Sequence, residues 1–204
     1  MADQSVRDAK LVQYLNEAYG KEKELETALQ AHISMTTRPP YKKRLQQHLR
    51  ETKGHARSVK QRVKQLGGKA DATAAPGPVG DVASAATTVA SKAVSAAKGP
   101  LHAIRGTGEQ EKMLKNAKTE YFNEHEEIAT YSAIETLAES VGDKETAKLA
   151  REIRRDEERM AKFLQGQITV LTKGVAREEI PAAERRNGAS SRKRRSSAAR
   201  SARS

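Results

Sequence analysis

Glu124-His-Glu-Glu-Ile-Ala-Thr-Tyr131 decides how the rest of the chain is read. It lies within a long helical pattern and sets Glu124 and Glu127 one turn apart, in line with Ala117, Tyr121, Ile128 and Tyr131. Those neighbours are residue types that a helix buries. Acids seldom join a buried seam without a partner, because removing a carboxylate from water is costly. The same anomaly recurs on each of four long helical stretches, so the acids need a common explanation.

The first helix is expected from about Val6 to His32, with Leu11, Leu15, Ala18, Glu22, Leu25 and Leu29 at the three- and four-residue steps of one face. Two prolines in Thr36-Thr-Arg-Pro-Pro40 mark a turn. The second helix, from about Tyr41 to Leu66, has the seam Leu45, His48, Thr52, His55, Val59, Val63 and Leu66, with Glu51 at its edge and Gly67-Gly68 as its stop. The third runs from about Glu109 to Ser140. Gly142-Asp143 then supplies a C-cap and an N-cap, and the fourth runs to about Lys173 with the seam Ala150, Ile153, Glu157, Met160, Leu164, Ile168 and Leu171.

Between the helix pairs, residues 69 to 107 change character. Ala72 to Gly80 is Ala, Pro and Gly, and Val82, Ala86, Val89, Ala93 and Ala97 then repeat at the spacing of a short helix. A connection of this length makes sense if it crosses the length of a bundle and joins two parallel helices. The expected architecture is all-α: a ferritin-like four-helix bundle over 6–173, made of two antiparallel hairpins with a long crossover, and a disordered Arg/Ser/Ala-rich tail over 174–204.

Matched depth explains the acids. Glu22 and Glu51 have their midpoint in the first turn, and Glu127 and Glu157 have theirs at Gly142. Each acid is therefore about 15 residues, or roughly 22 Å, from its turn. Four carboxylates in one apolar layer would repel one another, and two divalent cations would resolve that repulsion.

Composition narrows the alternatives. The 204 residues contain no cysteine and no tryptophan, which excludes disulfides and thiolate chemistry and leaves a core of Ala, Leu, Ile and Val. The polar segment Met1 to Lys10 does not read as a signal peptide, and no apolar run approaches a membrane span. The net charge of +12 is uneven: Arg185, Arg186, Arg192, Lys193, Arg194, Arg195, Arg200 and Arg203 supply eight positive charges with no acid among them, and subtracting them leaves +4. The tail reads equally as a solubilising end or as a sequence-independent grip on phosphate, without aromatics for base stacking.

Tyr19-Gly-Lys-Glu22-Lys-Glu-Leu25, Leu49-Arg-Glu51-Thr-Lys-Gly-His55, Glu124-His-Glu-Glu127-Ile-Ala-Thr-Tyr131 and Asp156-Glu157-Glu158 together resemble the motifs of the YciE/YciF group of ferritin-like proteins over residues 8 to 172. The resemblance implies a cytoplasmic bacterial protein, often a homodimer, linked to stress responses. It also implies a ferritin-type dimetal centre. A site built mainly of carboxylates favours Fe or Mn, and the first functional expectation is two such ions per chain, used to oxidise Fe(II) or consume peroxide under stress. Glu22, Glu51, Glu124, Glu127 and Glu157 match the family's acids. His55 stands one position beyond the usual second-helix histidine, whose place is taken by Gly54, but it is still on the inner face and is expected to reach a metal from a different angle, and Met160 occupies the equivalent place after Glu157. The competing reading is a non-catalytic bundle, a dimerising scaffold whose basic tail associates with DNA at the nucleoid.

Overall fold

A computed structural model describes residues 5–73 and 108–185. The expected crossover helix over 82–97 and the basic tail beyond Arg185 lie outside the described residues. Four long helices carry the fold: α1 Val6–Met35, α2 Pro39–Gln65, α3 Glu109–Ser140 and α4 Lys144–Glu179, with a single turn, α5, at Ala182–Arg185.

The helix ends follow local chemistry. Ser5 caps α1 by accepting from the Asp8 N–H at 3.0 Å. Pro39 and Pro40 open α2 at positions where an N–H would have no partner anyway. Gly142 takes φ 75°, a left-handed conformation that suits glycine, and Asp143 then caps α4 through Thr146 N–H at 3.0 Å. The fourth helix outruns its expected end at Lys173 by six residues. Gly174 is accommodated inside it, against the Gln110 side chain. The helix stops where Pro181 holds Ile180 extended, at φ −110° and ψ 125°.

Contacts between the helices fix the topology. His32 meets Glu120 and Tyr131 meets Glu22, so α1 and α3 run antiparallel. His55 meets Asp156 and Arg62 meets Asp143, so α2 and α4 are antiparallel too. Because the first turn makes α1 and α2 antiparallel, α2 and α3 are parallel, as the long crossover requires. This is a ferritin-like four-helix bundle.

The seams expected of α1, α2 and α4 are buried almost throughout. On α3 the frame differs. Tyr121 and Ile128 are only half-buried, and the inner face consists of Met113, Ala117, Glu120, Glu124, Glu127, Tyr131, Ile134 and Ala138. Two large apolar clusters, with a smaller one of Leu11, Ala138 and Ala147, form the core. Leu15, Val59, Val63, Ile134 and Ile153 lie in one. Leu29, Leu45, Met113, Met160 and Leu164 lie in the other. Along every helix the buried acids and histidines fall between them.

Candidate metal centre

Each helix contributes to this polar layer from its buried face: Glu22 from α1, His48 and His55 from α2, Glu124 and Glu127 from α3, and Glu157 from α4. All six are buried. His55 Nδ1 stands 2.9 Å from Glu157 Oε1 and 3.5 Å from Glu22 Oε1. His48 Nε2 is 3.0 Å from Glu124 Oε1 and 3.5 Å from Glu157 Oε2. Two groups result, Glu22–His55–Glu157 and His48–Glu124–Glu157, each with its ligand atoms within 4.8 Å of one another. Glu157 belongs to both and offers one oxygen to each side.

Each histidine is held from behind. The Nδ1 of His48 lies 3.2 Å from Glu51 Oε2, and the Nε2 of His55 lies 3.1 Å from Asp156 Oδ2. A carboxylate that takes a histidine's outer N–H fixes the ring and leaves its inner nitrogen to face the site, as carboxylates behind metal-bound histidines do. Tyr131 donates its hydroxyl to Glu22 Oε1 at 2.5 Å, which fixes that acid too.

Four carboxylate oxygens of the layer are buried without a hydrogen-bond partner, Glu22 Oε2, Glu124 Oε2 and both of Glu127, whereas the two of Glu157 face His55 and His48 as ion pairs. An unmatched buried polar atom costs about 1–3 kcal/mol, so the layer is electrostatically incomplete as protein alone. Its titration reflects this. Burial raises Glu22 and Glu127, and it raises Glu124 to about 8 against the pull of His48. Burial opposes the charges of His48 and His55, but the facing carboxylates outweigh it and raise both to about 10. Glu157, also penalised by burial, is nevertheless lowered by His55 and His48. In the metal-free layer burial therefore favours protonated carboxyls at Glu22, Glu124 and Glu127, while the facing carboxylates favour protonated imidazoles at His48 and His55. Divalent cations would replace those protons, and this mixed oxygen and nitrogen donor set fits them.

The second-helix acid differs from expectation. Glu51 does not enter the layer; it stands partly exposed behind His48, accepting from Arg44 at 2.9 Å and from Gln47 at 2.9 Å. The hydrogen bond from His48 and the Arg44 charge lower it to about 2. The reason is rotational. With Leu45, Val59 and Val63 anchored in the core, His48, Thr52 and His55 face inward, and a residue three beyond His48 is turned about 60° aside. Gly54 is therefore not a vacated ligand position, since it too lies off the inner face. His125 is exposed.

Sequence reasoning did not select His48, Asp156 or Glu120 as site residues. The signals were the unbroken His48–Thr52–His55 seam, an acid one residue before Glu157, and an acid one turn before Glu124. Among the described residues, no helix is long and apolar enough to cross a membrane.

Comparison with known proteins agrees with this architecture. Residues 7–177 match the family described as "Domain of unknown function (DUF892)". No curated protein matches the sequence. Among solved structures, a protein from Xanthomonas campestris pv. campestris is similar at 25% identity and TM-score 0.64, over 86% of this chain and 100% of that one. YcfI from Rhodopseudomonas palustris is 21% identical with TM-score 0.61, over 80% and 96% of the two chains. The E. coli stress protein YciF is 22% identical with TM-score 0.58, over 83% and 98%.

Proposed function

The chain belongs to the DUF892 family of YciF-type ferritin-like bundles, and from that premise we propose that it binds two divalent cations, Fe or Mn, in the buried layer and uses them in a stress response. The observation that carries this reading is the pair of buried ligand groups sharing Glu157, bordered by Glu127, neither of whose buried oxygens has a hydrogen-bond partner. Glu22, His55 and Glu157 would hold one ion, and His48, Glu124 and Glu157 the other. Glu127, with both oxygens free and near the other acids, would complete the charge balance.

Fe(II) or Mn(II) held by Glu22, His55, Glu157, His48 and Glu124 would supply reducing electrons to dioxygen or peroxide. The chain's own residues hold the ligands and the protons. Glu51 and Asp156 keep the outer N–H groups of His48 and His55, so only the inner nitrogens exchange protons for metal. The apolar clusters on either side exclude water and keep the layer rigid.

Metal analysis by mass spectrometry of protein purified without chelators tests this, beside Glu157→Gln. About two Fe or Mn per chain is expected, as in carboxylate bundles of this kind, with most of it lost in the variant. No stoichiometric metal, even after reconstitution with Fe(II) or Mn(II), would sink the reading.

The stretch from Arg185 to Ser204 supports a second reading, association with DNA, because its eight cations without an acid suit phosphate contacts. A mobility shift comparing the full chain with one ending at Glu184 separates tail from bundle. Equal retention of both would remove the tail's role.

A further inference from the structure

The polar face of α3 does not end at the metal layer. One turn before Glu124, towards the turn between α1 and α2, Glu120 is buried completely. Its Oε1 meets His32 Nδ1 on α1, while its Oε2 has no partner. The Tyr41 hydroxyl is likewise buried and unmatched. Burial raises that hydroxyl's pKa, and so does the nearby charge of Glu120. One turn further on, Asn116 Nδ2 is also buried without a partner. Unmatched polar atoms therefore stand on residues 116, 120, 124 and 127, at the four-, four- and three-residue steps of one helical face.

The column is open at one end. The His32 side chain is 12% exposed, so it joins solvent to Glu120. Beyond Tyr131, the bundle is filled by Leu15, Val59, Val63 and Ile134, which offer no polar step. A simple structural ion pair accounts for one oxygen of Glu120. It does not account for the other, or for the buried, unmatched hydroxyl of Tyr41 that feels the Glu120 charge.

We propose that His32 and Glu120 form a transit site through which a divalent cation passes from solvent to Glu124 and His48, loading the buried layer. The site rests on the metal-binding reading above. One imidazole and one carboxylate make a weak site, completed by water, and the layer's three-residue groups make stronger ones. Handover along one helical turn, about 6 Å, is therefore downhill.

Metal-stripped full-length protein is mixed with Co(II) in a stopped-flow instrument, loading is followed by visible absorption, and the final Co(II) content is measured. His32→Ala and Glu120→Gln should slow loading at least about tenfold, the lower end of the effect of residues that support a metal site, with final content unchanged. Loading at the wild-type rate in both variants would overturn the transit site and leave the metal layer standing. A lowered final content would make these residues resident ligands, which also overturns it. Failure of the wild-type chain to take up Co(II) would remove the metal reading and this one together. Far-UV circular dichroism checks folding; if Glu120→Gln does not fold, His32→Ala, at the partly exposed end, decides.

Discussion

Taking metal-free protein from pH 4.5 to pH 7 should lower its stability, against the usual behaviour of proteins whose carboxylates are salt-bridged. Glu124 ionises at 4.5 in the ordinary case and at about 8 when folded. Its folded pKa is raised, so its contribution is complete below 4.5 and is lost as pH rises towards 8. Each pH unit costs about 1.4 kcal/mol per group, so by pH 7 this acid alone removes roughly 3 kcal/mol. Glu22 and Glu127 are raised as well and act in the same direction. His48 and His55, ordinarily at 6.5 and here at about 10, extend the fall: their stabilisation is complete below 6.5 and disappears as pH climbs through 10. Glu51 and Glu157 are lowered, so their contributions are lost only in acid and do not mask the trend. Against a total of about 5–15 kcal/mol for a typical domain, the loss is large. Urea denaturation followed by circular dichroism, in EDTA and in excess Mn(II), measures it. The EDTA series should lose at least roughly 3 kcal/mol from pH 4.5 to 7, and Mn(II) should flatten or invert the slope, because loading requires ionised acids and neutral inner nitrogens. A flat or rising EDTA series, or a slope indifferent to Mn(II), would refute the reasoning.

Three further outcomes follow from the same geometry. Asp156→Ala should weaken metal affinity about 10–100-fold without changing the number of ions bound, because it frees the back of His55; equilibrium titration against a competing chelator reads this. Gly54→Ala, whose new Cβ meets nothing nearer than the Arg57 guanidinium at 3.9 Å, should stabilise by up to about 1 kcal/mol, whereas Gly20→Ala, whose Cβ would stand 2.9 Å from the Ala72 carbonyl oxygen, should cost about 1–3 kcal/mol; thermal melting of the pair gives opposite signs. Arg62→Ala should cost about 1.5–3 kcal/mol in urea denaturation, since it removes paired bonds to Asp143 at 2.8 and 2.7 Å that join the end of α2 to the α3–α4 turn.

By itself the sequence determined the four long helices, the seams of α1, α2 and α4, and the ferritin-like order of two hairpins. Those depend on short-range periodicity, on prolines and glycines at helix ends, and on equal distances from two turns. The sequence also determined that Glu22, Glu127 and Glu157 belong to buried faces, because each sits at a step occupied by apolar residues. Only the tertiary structure decided which groups face one another. Glu51 and His48 are three residues apart on α2, and a rotation of about 60° makes one a ligand candidate and the other its support. That rotation is set by how Leu45, Val59 and Val63 settle into the core, which no periodicity in α2 alone reveals. Asp156 and Glu120 acquired roles the same way: each depends on a histidine from a distant part of the chain, His55 in one case and His32 in the other. Helical faces are written in local spacing, but the pairing of atoms across a bundle is written in packing.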